Sequence, residues 1–228
     1  MSAETSEPLD DKGLSPPEAA RLYDRIGRLQ DSQRPIERPA RDRLIAAGDF
    51  DTATSVFELG CGTGTLARRL LAEHLPPQCR YLGFDVSHRM VKLTRRRIAP
   101  FGQRAAVLRT DGSLPLPIGD GSANRFIAAY VCDLLPQSYA KEILDEAHRI
   151  LRTGGIACLT SLTGGSSRLS RLVSRTWRGL WQLAPHLVGG CRPIDLRRLL
   201  DPEAWDIKVD MIIESWGVPS QLVVATAR

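Results

Sequence analysis

The residues of this chain best suited to chemistry are a run of glycines and a series of carboxylates. Glu58-Leu59-Gly60-Cys61-Gly62-Thr63-Gly64 sets glycine at every second position behind an acidic residue. Glycine lets a backbone turn sharply and approach a ligand with no Cβ in the way. A dinucleotide-binding fingerprint is the nearest rival, but it spaces its last two glycines by three positions; here they are two apart. Asp85, in Gly83-Phe84-Asp85-Val86-Ser87, suits the two hydroxyls of a ribose, and Asp111, in Thr110-Asp111-Gly112-Ser113, repeats that placement one strand later. Asp133, in Tyr130-Val131-Cys132-Asp133, is a candidate for orienting an acceptor or taking its proton, or else the cap of a short turn before Pro136. His186 is the second candidate for that catalytic role. The five cysteines form no CxxC pair and read as free thiols, and no metal is expected.

These residues need a scaffold that brings strand ends together. From residue 54 short apolar runs alternate with stretches of helical period, the pattern of consecutive βα units in a parallel sheet. Strands are expected at 55–59, 81–84, 105–108, 126–130 and 156–162, with apolar stripes of helical spacing between them, such as Tyr139, Ile143, Leu144, Ala147 and Ile150. Two last strands, 206–213 and 221–227, are joined only by residues 214–220, too few for a helical crossover, so they should pair antiparallel. Open sheets of this kind bind ligands beyond the carboxyl ends of their strands, where the glycines and carboxylates fall.

Ahead of the sheet, residues 1–13 are polar and acidic and read as a disordered tail. Residues 14–48 read as a helical cap: Ser15-Pro16-Pro17-Glu18 is a capping box with proline at the helix start, and a second helix, about 36–47, ends at Gly48. Such a pair is able to cover a pocket. The main domain is expected over 49–228, with a helical insert at about 164–193.

With these motifs in order, the chain resembles the class I methyltransferases that use S-adenosylmethionine, closest in look to the small-molecule and quinone branch. The resemblance implies an α/β, Rossmann-like sheet of seven strands, mostly parallel with an antiparallel last strand. Helices would lie on both faces, with the N-terminal helices and the insert as lid. It also implies that Glu58, Gly60, Cys61, Gly62 and Gly64 wrap the methionine part of the cofactor, that Asp85 with Val86 meets the ribose, that Asp111 and Gly112 meet the adenine, and that Tyr130 and Val131 pass the methionine amino group. The reaction would be an in-line displacement, which requires alignment more than acid–base help.

The acceptor side is read from the insert. Residues 166–193 hold five arginines and no acidic residue. Leu169, Leu172, Val173, Thr176, Leu180 and Ala184, with Trp177 and Trp181, follow helical spacing, and Arg168, Arg171, Arg175 and Arg178 follow a second stripe. This helix suits a lid over an apolar pocket and equally a helix lying on an anionic membrane surface. Tyr23, Trp177, Trp181 and Arg192 are the candidate acceptor-binding residues, and either reading points to a small hydrophobic or lipid-like acceptor. The alternatives are an RNA or protein methyltransferase, using Lys92 and Arg95 to Arg97, and a non-catalytic S-adenosylmethionine-binding protein. A nucleic-acid partner is not expected, since no aromatic ladder accompanies that cluster. The chain has 228 residues, 43% hydrophobic and 25% charged, with net charge +5. No apolar run approaches the roughly 18 residues of a membrane span, and a cytoplasmic location is expected.

Overall fold

The computed structural model describes residues 9–228, apart from the side chains of residues 28, 33, 34, 186 and 187. Among them, the chain builds one seven-stranded sheet of order β3-β2-β1-β4-β5-β7-β6. β1 (Ser55–Leu59), β2 (Arg80–Asp85), β3 (Ala105–Arg109) and β4 (Ala123–Ala129) pair in parallel, and β4 pairs in parallel with β5 (Leu151–Leu162). β7 (Val218–Ala227) inserts antiparallel between β5 and β6 (Trp205–Ser215). This is the Rossmann-like arrangement expected. The strand order reverses between β1 and β4, so a crevice opens at their carboxyl ends.

Burial follows position in the sheet. β4 is buried at all seven residues, as a strand covered on both faces must be, and Phe57 of β1 meets Phe84 of β2 edge to face and Phe126 of β4 at a tilt. The edge strands β3 and β6 are mostly half-buried or exposed. The loop expected at 214–220 is tighter than the sequence suggests. Ser215 pairs with Val218, and Trp216 and Gly217, both at positive φ, form a two-residue turn, whose twist matches that of the strands it joins.

α1 (Pro16–Ile26) begins as its capping box predicts: the Ser15 amide donates to the Glu18 carboxylate at 2.9 Å and the Ser15 hydroxyl at 2.7 Å. A 3-10 segment (Gly27–Gln33) leads into α2 (Arg34–Ala47), which packs on β5, β6 and β7. Arg125, buried on β4, anchors the far end of α2 by donating to the carbonyls of Gly48 and Asp49. α3 (Thr65–Arg69) follows the glycine run, α4 (His88–Ile98) flanks β2 and β3, and α5 (Gln137–Ile150) lies against β5. The insert forms α6 (Arg168–Leu183), which packs on β7 and on the turn Pro185–Val188.

The expected tail is corrected in part. Residues 1–8 lie outside the described residues, but residues 9–13 are tied to the domain. Asp10 and Gln137 exchange hydrogen bonds through the Asp10 amide and carbonyl, Leu9 packs on the core, and the Arg192 guanidinium donates to the carbonyls of Asp10 and Lys12. A polar stretch can be held by its backbone carbonyls when a buried cation needs acceptors, and composition does not reveal that.

Candidate active site

β1 turns into α3 through three glycines at positive φ: Gly60 (67°), Gly62 (54°) and Gly64 (76°). A Cβ on Gly60 would lie 2.4 Å from Val131 Cγ2, and one on Gly64 would lie 2.8 Å from the Thr94 backbone, so both are required for packing. Gly62 differs, because its Cβ would meet no atom nearer than 4.0 Å. It borders a cavity of about 1110 Å³, mouth included, at the β1–β4 crevice.

Asp85, at the end of β2, is buried on that cavity wall. It accepts from the Gly62 amide at 2.8 Å and the Ser87 amide at 2.9 Å. Burial raises its pKa to about 6, with those amides opposing the shift. Glu58 is buried beneath the glycine loop, accepts from the Tyr81 hydroxyl at 2.5 Å, and is pushed by burial to about 7. Cys61 also lines the cavity, its thiol raised by burial and packed near Thr94. Val86, Gly112, Tyr130 and Val131 line it too. Tyr130 holds φ of 59° and bonds Ser220 through its hydroxyl at 2.8 Å. A left-handed tyrosine costs energy, and such strain concentrates at functional sites.

The cavity is roofed by the N-terminal cap. Asp31 accepts from Thr63 at 2.6 Å and from Arg97 at 2.5 Å, and Arg97 also donates to the Thr63 carbonyl at 2.7 Å. Asp24 accepts from the Ser87 hydroxyl at 2.6 Å and the Arg89 amide at 3.0 Å. Two carboxylates of the cap therefore grip the two loops that carry the glycines and Asp85. Glu37 and Arg41, an ion pair of 2.7 Å on α2, project into the cavity beside Tyr23. Sequence reasoning missed Asp31, Glu37 and Arg41, because acidic and basic residues at helical spacing ordinarily mark a solvated face.

Several expected site residues are not brought to the cavity. Asp111 is exposed and bonds the amide and hydroxyl of Ser113; its neighbours Thr110 and Gly112 reach the wall instead. Asp133 lies fully buried behind the β4 turn, accepting from the Leu162 amide at 2.8 Å, and burial raises its pKa to about 7. Trp177 and Trp181 donate to the carbonyls of Cys191 (2.9 Å) and Gly190 (2.8 Å) and border other parts of the surface. Arg192 is buried, stacks near Trp181 and donates to the Leu135 carbonyl. These three hold the 189–193 loop. Tyr23 is the exception, lining the cavity while its hydroxyl donates to the Gly189 carbonyl at 3.3 Å. No residue of α6 lines the cavity, so the covering role belongs to α1 and α2. The His186 side chain lies outside the described residues.

Residues 56–155 match the family model described as a methyltransferase domain. That stretch is similar to a methyltransferase domain. The sheet agrees with the fold of the class I, S-adenosylmethionine-dependent methyltransferases that the sequence resembles. Over 105 residues the chain is 30% identical to tRNA N(3)-methylcytidine methyltransferase Mettl2 of Drosophila melanogaster, covering 45% of this chain and 32% of that protein. It thus spans about a third of that relative's length. Malonyl-[acyl-carrier protein] O-methyltransferase of Pseudescherichia vulneris is 26% identical over 191 residues, covering 73% of this chain and 70% of that one. The N-methyltransferase NodS of Bradyrhizobium japonicum, solved with S-adenosyl-L-homocysteine, superposes with a TM-score of 0.68 at 16% identity, covering 92% of this chain and 98% of that one.

The walls of the cavity suit S-adenosylmethionine, the cofactor that the resemblance implies. Gly62 leaves an open place for close approach. Asp85 keeps acceptor capacity toward the cavity after its two amide bonds, since an ionised carboxylate has about four acceptor sites. Small and apolar groups, including Val86, Leu114 and Leu116, continue the wall beyond it.

Proposed function

We propose that the chain is an S-adenosylmethionine-dependent methyltransferase whose acceptor is small, with a hydrophobic or lipid-like body and one polar group. The observation that carries this reading is the cavity beside Tyr23, whose lining joins Ala19, Leu134 and Leu135 with the Glu37–Arg41 pair under a roof bonded to the glycine loop. A roofed, mainly apolar cavity with a few convergent polar groups favours a small acceptor.

Asp85 would hold the cofactor's ribose, Gly60 to Gly64 and Glu58 its methionine part, and Val86 with Gly112 its adenine. Bound there, S-adenosylmethionine supplies a methyl group already activated by a sulfonium. The chain's own task is then alignment, which can lower a barrier by about 7–11 kcal/mol. Glu37 and Arg41 would orient the acceptor's polar group. Burial keeps the Tyr23 hydroxyl protonated, so it serves as a donor rather than a base. Asp133 would act by holding the Tyr130–Leu135 turn, and His186 stays an acid–base candidate on sequence grounds. The Pseudescherichia relative, whose name gives an O-methyltransferase acting on a carrier-borne malonyl group, fits such an acceptor. The RNA reading has less support, because Arg97 is occupied by Asp31 and Thr63.

The test is methyl transfer from labelled S-adenosylmethionine to quinone, phenol and acyl-lipid extracts, with RNA and protein as parallel acceptors. Label in a small apolar product is expected. Label only in RNA or protein overturns the acceptor class; cofactor binding without any labelled product overturns the enzyme.

A further inference from the structure

On α6, residues advance about 100° per position, which divides the helix into three sectors. Ser170, Val173, Ser174, Trp177 and Trp181 face the protein. Arg168, Arg171, Arg175 and Arg178 fill a second sector about 80° wide; all four are exposed and, among the described residues, no carboxylate pairs with them. Between these sectors runs a stripe of Leu169, Leu172, Thr176, Leu180 and Leu183, also within about 80°. It faces solvent: Leu169 is 63% exposed, Leu172 62% and Leu183 85%. Trp216, at the β6–β7 turn, is 87% exposed, and its neighbour Gly217 lies against Leu169 and Val173. From Leu169 to Leu183 the stripe runs roughly 21 Å.

This surface is rigidly presented. Glu214, two residues before Trp216, accepts from the hydroxyls of Ser166 (2.7 Å) and Ser170 (2.6 Å) and the Ser167 amide (3.2 Å). The hairpin tip and the first turn of α6 are thereby locked together. Single exposed leucines are ordinary; a contiguous stripe ending on a tryptophan and bordered by unpaired arginines is not.

We propose that α6 and Trp216 form a docking surface for an anionic phospholipid membrane. The leucines and Trp216 would enter the headgroup–acyl boundary, and the four arginines would lie beside it against anionic headgroups, as in interfacial amphipathic helices. The apolar side chains protrude rather than line a groove, which suits a fluid bilayer better than a protein partner. Charge agrees, since residues 166–193 contain no acidic side chain. The surface lies apart from the cavity, so the proposal does not depend on the acceptor's identity.

The test is flotation of the full chain with phosphatidylcholine vesicles, with and without a third of phosphatidylglycerol, at low and high salt. Binding to anionic vesicles, weakened by salt, is expected. Leu172→Ser with Leu183→Ser should reduce it at least tenfold, and Arg171→Gln with Arg175→Gln about thirtyfold, at roughly 1 kcal/mol per cation. Circular dichroism and cofactor binding should be unchanged, because all four sites are exposed. Equal binding to neutral vesicles, or none, overturns the proposal. So does a dimer in light scattering that the leucine changes dissociate, or binding to an acidic acyl carrier protein in place of vesicles.

Discussion

At the scale of single residues, Asp85 and Gly62 carry the sharpest expectations. Burial raises Asp85 to about 6, against bonds from Ser87 and Gly62, and a ribose diol is best accepted by the ionised form. At pH 5 only about a tenth of the group is then ionised, so cofactor affinity measured by calorimetry should be about tenfold weaker than at pH 8. Asp85→Asn should bind weakly and lose that dependence; an Asp85→Asn curve parallel to wild type would assign the titration elsewhere. Gly62→Ala should leave the fold nearly intact, at a cost of about 1–2 kcal/mol for left-handed alanine, while placing a methyl in cavity space and weakening binding at least tenfold. Gly64→Ala should instead lower the melting temperature, because its Cβ meets the Thr94 backbone. Equal effects of the two changes would sink the distinction. These residues were legible in the sequence because alternating glycines and strand-end carboxylates have few other uses. Asp111 looked equivalent, but Ser113 offers its carboxylate a local partner. Glu37 and Arg41 were illegible, since a pair one helical turn apart reads alike whether it faces water or a cavity.

At the scale of elements, the cap sets how the cavity opens. Asp24 accepts from Ser87, and Asp31 from Thr63 and Arg97, so these bonds resist any movement of the cap away from the cavity. Charge-assisted bonds of this kind contribute about 1.5–3 kcal/mol each. Asp31→Ala should therefore speed cofactor release at least tenfold in stopped-flow displacement, and expose the cap to limited proteolysis. An unchanged release rate would mean that the cap does not gate the cavity. The helical pair and its capping box were readable from Ser15 and Glu18, and the strands from their apolar runs, because both follow local periodicity. Which helix covers the site was not. One apolar stripe seemed to join the leucines and tryptophans of α6, whereas packing separates them: Trp177 and Trp181 bond the 190–191 carbonyls, and the leucines face out. Periodicity shows that two faces exist but not which one meets the sheet. The 9–13 segment was misread for a related reason, because its anchor is Arg192, distant in sequence.

At the scale of the whole molecule, the site's carboxylates shape stability. Burial raises Glu58 and Asp133 to about 7 and Asp85 to about 6, above the unfolded range near 4. Between those values the native chain holds more protons than the unfolded one, so stability falls as pH rises from about 4 to 7. Below that window the sign reverses. Glu146, bonded by Arg149, and Asp24, where bonds from Ser87 and Arg89 outweigh burial, are held low, and their contribution is lost as pH falls through their folded values. The cofactor-free protein should thus melt highest near pH 4, by this crossing of windows. Asp133→Asn isolates one member of the set, because the amide oxygen can still accept from Leu162 while no charge is buried. Its melting temperature should match wild type below about pH 4 and exceed it increasingly as pH rises to about 7, by roughly 2–4 °C per kcal/mol for a chain of this size. A wild-type melting temperature that stays level or climbs between pH 5 and 8 would mean that these carboxylates ionise freely in the folded chain. Saturating cofactor should flatten the descent on its Asp85 and Glu58 parts, since both line the cavity, and leave the part that belongs to Asp133, sealed behind the β4 turn.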